Sequence, residues 1–136
     1  MKYSGYLLMV ALCYSLISCK KEPAPLNPNY IPVNNCRSFS IGGKTLTLCL
    51  DSVIQDSRCP RNALCIWQGL AAGRFSASVE GENQVVTLAT VKLTGYNNEA
   101  VVEGFKIEFI DLTPHAELNN PFSYNDYVAE VKVTKP

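Results

Sequence analysis

Hydrophobic and polar residues alternate along most of the chain from residue 36 onward. Phe39 and Ile41 alternate with Ser38 and Ser40, and Leu46, Leu48 and Leu50 alternate with Thr45, Thr47 and Cys49. The same period recurs at Phe75, Ala77 and Val79, through residues 85–92, at Phe105, Ile107 and Phe109, and at Tyr127, Ala129, Val131 and Val133. A period of two places one face of a strand on a core and the other in water. Gly42-Gly43, Gly81 and the stretches 95–98 and 119–121 separate these runs as turns. Ile110 and Leu112 reverse the parity set by Phe105, which predicts a bulge or a change of face between them. No run carries the period of a helix. The pattern predicts an all-β domain, either an antiparallel sandwich of immunoglobulin-like type or a small barrel.

The first eighteen residues depart from this pattern. Lys2 precedes an uncharged apolar stretch at residues 6–17, too short for a membrane span. It ends in Leu16-Ile17-Ser18-Cys19, which resembles the bacterial lipobox. The resemblance implies cleavage before Cys19, a diacylglycerol on its thiol and an acyl chain on its new amino group. Position 20 is Lys20, not the aspartate that resembles an inner-membrane retention signal, so the outer membrane is the expected destination. The Lys20-Lys21 pair lacks the acidic run of a surface-export tag, so the expected orientation faces the periplasm. Pro23, Pro25, Pro28 and Pro32 then crowd a segment with no apolar periodicity, which reads as a semi-rigid tether. The expected division is a signal peptide at 1–18, a proline-rich tether at 19–35 and one β domain at 36–136. The alternative for the end of the tether is that Tyr30 to Val33 packs on the domain as an edge segment.

Of six cysteines, Cys13 falls in the signal and Cys19 takes lipid, which leaves Cys36, Cys49, Cys59 and Cys65. Four cysteines in an exported chain of this size imply two disulfides. The first hairpin sets their pairing. A two-residue turn at Gly42-Gly43 makes Ile41 face Lys44, Phe39 face Leu46 and Cys36 face Cys49. Counted from the turn, that last pair falls at a non-hydrogen-bonded position, where Cα atoms approach to about 4.5 Å, within disulfide reach. Cys59 is then left with Cys65.

The segment from Asp56 to Gly69, reading D-S-R-C-P-x4-C-x-W-x-G, is the most distinctive in the chain. It resembles a segment that recurs in small exported bacterial proteins and lipoproteins, many from Bacteroidetes. A weaker likeness covers residues 105–114 and 126–129 as a Y-x-I-x-L…P…D-Y-x-A pattern, with Phe105 in the place of the first tyrosine. The resemblance implies architecture and assigns no catalytic residue. Physically, Asp56 and Arg58 can pin the base of a disulfide loop through an ion pair and backbone bonds. Trp67 lies two residues after Cys65, so in a strand it packs on the disulfide and fills core. The functional alternative is a recognition loop made of Asp56, Arg58, Arg61, Asn62 and Trp67, with Arg58, Arg61 and Asn62 at its tip.

Charge narrows the partners. The signal holds one of the 12 basic residues and none of the 12 acidic ones, so the mature chain has a net charge near −1. Neither a basic stripe for nucleic acid nor an acidic tail is present. One histidine, His115, serves the whole chain, no G-x-S-x-G elbow or C-x-x-C occurs, and oxidised cysteines are poor ligands. No metal site and no cofactor is indicated. Phe122, Tyr124 and Tyr127, among asparagines, could stack on a sugar; alternatively Tyr127 is core and Tyr124 caps a strand. The expected role is therefore non-enzymatic binding or scaffolding by a lipid-anchored envelope protein, with the membrane, and an envelope protein or glycan, as partners. A metal handler, a carbohydrate-binding module and a small hydrolase are the competing classes.

Overall fold

The computed structural model describes residues 27–136. The expected signal segment, Cys19 and the tether up to Leu26 lie outside the described residues. Eight strands form: β1 (Tyr30–Pro32), β2 (Asn35–Ile41), β3 (Lys44–Asp56), β4 (Ala71–Val79), β5 (Glu82–Ala89), β6 (Glu99–Val102), β7 (Phe105–Thr113) and β8 (Val128–Thr134). One 3-10 turn at Tyr124–Asp126 precedes β8. The strands make two antiparallel four-stranded sheets, ordered β1-β8-β7-β6 and β2-β3-β4-β5. Of the two expected architectures, the sandwich forms, and its ladders do not close into a barrel. Its strands follow one another in chain order around the molecule, unlike the interleaved order of immunoglobulin domains.

Two corners carry the chain between sheets. At the first, the Val33 amide donates to Tyr127 O (2.9 Å) in one sheet and the Asn34 amide to Leu50 O (2.8 Å) in the other. At the second, Asn97 O accepts from Ala89 N and Asn98 O from Phe109 N, both at 2.8 Å. All three hairpins, at Gly42-Gly43, Glu80-Gly81 and Glu103-Gly104, have positive φ at both central residues. This left-handed geometry matches the twist of the flanking strands. The up-and-down order puts these turns at one end of the sandwich and the longer connections 57–70, 90–98 and 114–127 at the other.

The core is the sum of the alternating faces. Leu46, Leu48 and Leu50 of β3, Phe75, Ala77 and Val79 of β4, Phe105, Ile107 and Phe109 of β7, and Ala129 and Val131 of β8 are all buried. Phe75 and Phe109 meet edge to face at 5.3 Å across the two sheets. Among the described residues, no polar or charged residue is buried in this core.

Register agrees with the alternation. Cys36 pairs with Cys49, Phe39 with Leu46 and Ile41 with Lys44, and the disulfides are Cys36–Cys49 and Cys59–Cys65. The parity reversal in β7 is a bulge between Phe109 and Asp111, so Ile110 and Asp111 both point outward before Leu112 returns to the core. Of the two readings of the tether's end, the edge segment forms, and the boundary at residue 35 moves back to Tyr30. β1 pairs with β8 from Tyr30, so the folded domain begins before Cys36. Ile31 and Val33 are buried, and Pro32 between them sits on an edge strand, where its missing amide proton forfeits no ladder bond. β6 shows no alternation strong enough to predict and forms as a four-residue edge strand.

Because the Cys36–Cys49 bridge spans 13 residues, replacing both cysteines with serine is expected to lower stability by about 2–3 kcal/mol in urea unfolding. A peptide map joining Cys36 to Cys59 or Cys65 would contradict the register.

Candidate functional site

The D-S-R-C-P-x4-C-x-W-x-G segment forms the connection between β3 and β4. Its base is closed by Ser57. The Ser57 amide donates to Leu70 O (2.9 Å), its hydroxyl donates to the same carbonyl (3.2 Å), and the Leu70 amide donates back to Ser57 Oγ (3.2 Å). Gly69 lies directly on this closure. A Cβ there would stand 1.8 Å from Ser57 O, so only glycine fits.

Arg58 roots the loop in the domain. Its Nε donates to Asp56 Oδ1 and its Nη2 to Asp56 Oδ2, both at 2.8 Å, a two-point fork. Nη2 also donates to Pro114 O (3.2 Å), and Nη1 donates to Leu112 O and to Asp111 Oδ1 (3.3 Å). A guanidinium has five N–H donors, and these bonds use all of them. The Arg58 and Asp56 side chains are only 8% and 10% exposed. Tyr127 OH completes the cluster by donating to Asp56 Oδ2 (3.0 Å). The β7 bulge matters here because it turns Asp111 outward towards Arg58. Thus the segments singled out by resemblance, 56–69, 105–114 and 126–129, meet at one cluster.

Burial works against the Asp56 carboxylate, but the hydrogen bonds and charge of Arg58, with the Tyr127 hydroxyl, outweigh it and hold its pKa below the usual aspartate value. Burial opposes the charge on Arg58 too; Asp56 and then Asp111 outweigh it and raise its pKa. Burial and the Asp56 carboxylate push the Tyr127 phenol up to about 12. A cation satisfied on every donor and a carboxylate held ionised are poor proton donors and acceptors, so the cluster is built to hold structure.

The loops at this end brace one another. Arg61 N donates to Ala116 O (2.9 Å), Asn62 Nδ2 to Leu118 O (3.1 Å), and Leu118 N to Asn62 Oδ1 (2.6 Å). In the connection 114–127, Ser123 and Asp126 form a capping box around the 3-10 turn. Tyr124 OH accepts the Val53 amide (2.8 Å), which sits in an irregular part of β3. Phe122 and Tyr124 pack edge to face on Tyr127 at 5.1 and 5.7 Å. These aromatics have structural partners, with Tyr127 against the core.

Two sequence expectations need correction. Residues 57–70 form no strand, so Trp67 and Cys65 share no strand face, and Trp67 is 61% exposed instead of filling core. Arg58 is drawn down into the base of the loop by its carboxylate and carbonyl partners; it is not at the tip. Of the expected recognition residues, Asp56 and Arg58 belong to the root, Asn62 braces Leu118, and Arg61 and Trp67 are exposed. Sequence reasoning passed over Leu64 and Ile66, which are fully exposed, and Leu118, 51% exposed. The available signal was their place: Leu64 inside the disulfide ring, Ile66 just after it and Leu118 in the 114–127 connection all lie outside the alternating runs and have no strand face to bury. The chemistry left over once the scaffold is satisfied is therefore an apolar tip of Leu64, Ile66 and Trp67, with Leu118 beside it and Arg61 at its edge. His115 stands half-buried in the neighbouring connection. Among the described residues no group of three or more His, Cys, Asp or Glu converges to hold a metal.

Arg58→Met is expected to destabilise the domain by about 3 kcal/mol in urea unfolding, because it strands a carboxylate whose side chain is only 10% exposed. Arg58→Lys should recover little of this, since an ammonium has three donors and no planar fork. The raised phenol predicts alkaline sensitivity. An unfolded tyrosine ionises near pH 10. The contribution of Tyr127 is therefore complete below about pH 10 and is lost as pH rises to about 12, because only the unfolded chain releases the proton in that window. Unfolding measured from pH 9 to 12 should show a fall in stability that Tyr127→Phe makes shallower.

No protein-family model, no curated protein sequence and no solved structure matches the chain.

Proposed function

We propose that this is a lipid-anchored protein of the bacterial cell envelope with a non-enzymatic binding role, and that its binding surface is the tip of the Cys59–Cys65 loop. The observation that carries the reading is the exposure of Leu64 within the Cys59–Cys65 ring, and of Ile66 and Trp67 directly after it, on a loop whose two ends are held at Ser57–Leu70 and Arg58. Isolated exposed apolar residues are common on proteins; three within four consecutive positions, two of them fully exposed, concentrate apolar surface in one stretch of chain. Here the group sits on a short loop held by a disulfide, the Ser57–Leu70 closure and the Arg58 cluster, so it cannot easily turn inward. Anchoring is supported by the sequence ending in Leu16-Ile17-Ser18-Cys19, and outer-membrane attachment facing the periplasm by Lys20 and Lys21.

The lipid anchor has a direct check. Cells fed radiolabelled palmitate should label the wild-type chain, and Cys19→Ser should abolish the label. An unlabelled wild-type chain would remove the anchor from the account.

A further inference from the structure

We infer that the tip of the Cys59–Cys65 loop inserts into the surface of a phospholipid bilayer, so that the domain lies on the membrane at its loop end. The inference rests on the reading of this loop as the binding surface and names what it binds.

Shape argues for lipid. Leu64 and Ile66 are as exposed as residues in an isolated peptide, so no neighbouring part of the protein shelters them. A partner for side chains this exposed has to supply all of the apolar contact itself, because the domain gives them no wall. A fluid bilayer does so without a preformed pocket. Size argues the same way. The tip and its neighbour Leu118 offer four apolar side chains, whereas a stable protein interface engages about 20–30 residues a side.

Charge and side-chain type are complementary to a bilayer surface. Residues 57–70 contain two arginines and no acid, Arg58 is neutralised by Asp56, and Glu117 beside Leu118 accepts a hydrogen bond from Asn120 (3.2 Å). Arg61 is left exposed beside the apolar tip, placed to meet headgroup phosphates as Leu64 and Ile66 enter the acyl boundary. Trp67, partly exposed on the same loop, suits the depth at which indoles settle in bilayers. The Cys59–Cys65 bridge and the Ser57–Leu70 closure limit the conformational freedom lost on insertion. Attachment helps as well. Cys19 precedes Asn27 by eight residues, whose contour length is at most about 29 Å. Because β1 runs antiparallel to β8, Asn27 lies on the hairpin-turn side of Val33, so a proposed lipid at Cys19 holds the domain within this reach of the bilayer and the tether extends back along the domain when the loop end touches it.

Trp67 is the only tryptophan in the sequence, so its emission reports the tip alone. The test uses the mature chain, residues 19–136, carrying Cys19→Ser and mixed with vesicles of phosphatidylethanolamine and phosphatidylglycerol. All eight strands and the core lie within this chain. Insertion should shift Trp67 emission to shorter wavelength and allow quenching by lipids brominated along their acyl chains. Leu64→Ser with Ile66→Ser should weaken partition at least about tenfold with an unchanged near-ultraviolet circular dichroism spectrum. Arg61→Glu, a single exposed change, should weaken binding to phosphatidylglycerol vesicles more than to pure phosphatidylcholine vesicles. Emission unchanged by vesicles, and unquenched by brominated lipid, would overturn the inference. In that case a photo-crosslinker at position 64 in living cells separates the two readings. Crosslinks to one envelope protein would replace lipid with a protein partner and keep the binding role. Crosslinks to nothing would remove both.

Discussion

The arrangement of the loop end depends on one side chain, Arg58. Burying a guanidinium is unfavourable unless every donor finds an acceptor. Arg58 meets that condition only if Asp56 lies two residues before it, the β7 bulge presents Asp111 and Leu112 O, and the following turn presents Pro114 O. Once these groups are in place, the connection after β3 and the connection after β7 are fixed to each other. Tyr127 adds the start of β8 through Asp56, and Phe122 and Tyr124 pack on Tyr127 in turn. A requirement local to one cation thus organises three chain segments far apart in sequence.

Rigidity at the root has a consequence at the tip. The Ser57–Leu70 closure and Gly69 bring the ends of the loop together, and the Cys59–Cys65 bridge shortens what remains. In this arrangement Leu64 and Ile66 stay in water and Trp67 is only partly covered. Exposed apolar groups on a flexible loop would collapse onto whatever surface was nearest. Fixed outward, they remain available, and this is the physical basis of the proposed binding role.

The strands were legible in the sequence because alternation is a local signal. Phe39 facing Leu46, and Cys36 facing Cys49, followed from one glycine turn and counting. The β7 bulge was legible because Ile110 and Leu112 broke a parity that Phe105, Ile107 and Phe109 had set. β1 was obscured by Pro32, whose presence suggests a linker until the edge position is known. The Asp56–Arg58 pair was legible because its partners are two residues apart; Asp111 and Tyr127 were not, because they arrive from 53 and 71 residues away along the chain. Trp67 misled for a related reason. Its two-residue offset from Cys65 implied a shared strand face, but hydrogen bonds at the loop base end β3 at Asp56 and begin β4 only at Ala71.

Amide hydrogen exchange tests most directly the claim that the two connections form one unit rooted on Arg58. The amides to follow are Ser57, bonded to Leu70 O, Arg61, bonded to Ala116 O, and Val53, bonded to the Tyr124 hydroxyl. The account predicts that all three are strongly protected and open together, at a free energy approaching that of the core strands. If they exchange independently and near the rate of free peptide while β3 and β7 stay protected, the loops are separate and mobile, and the Arg58 cluster does not organise this end of the molecule.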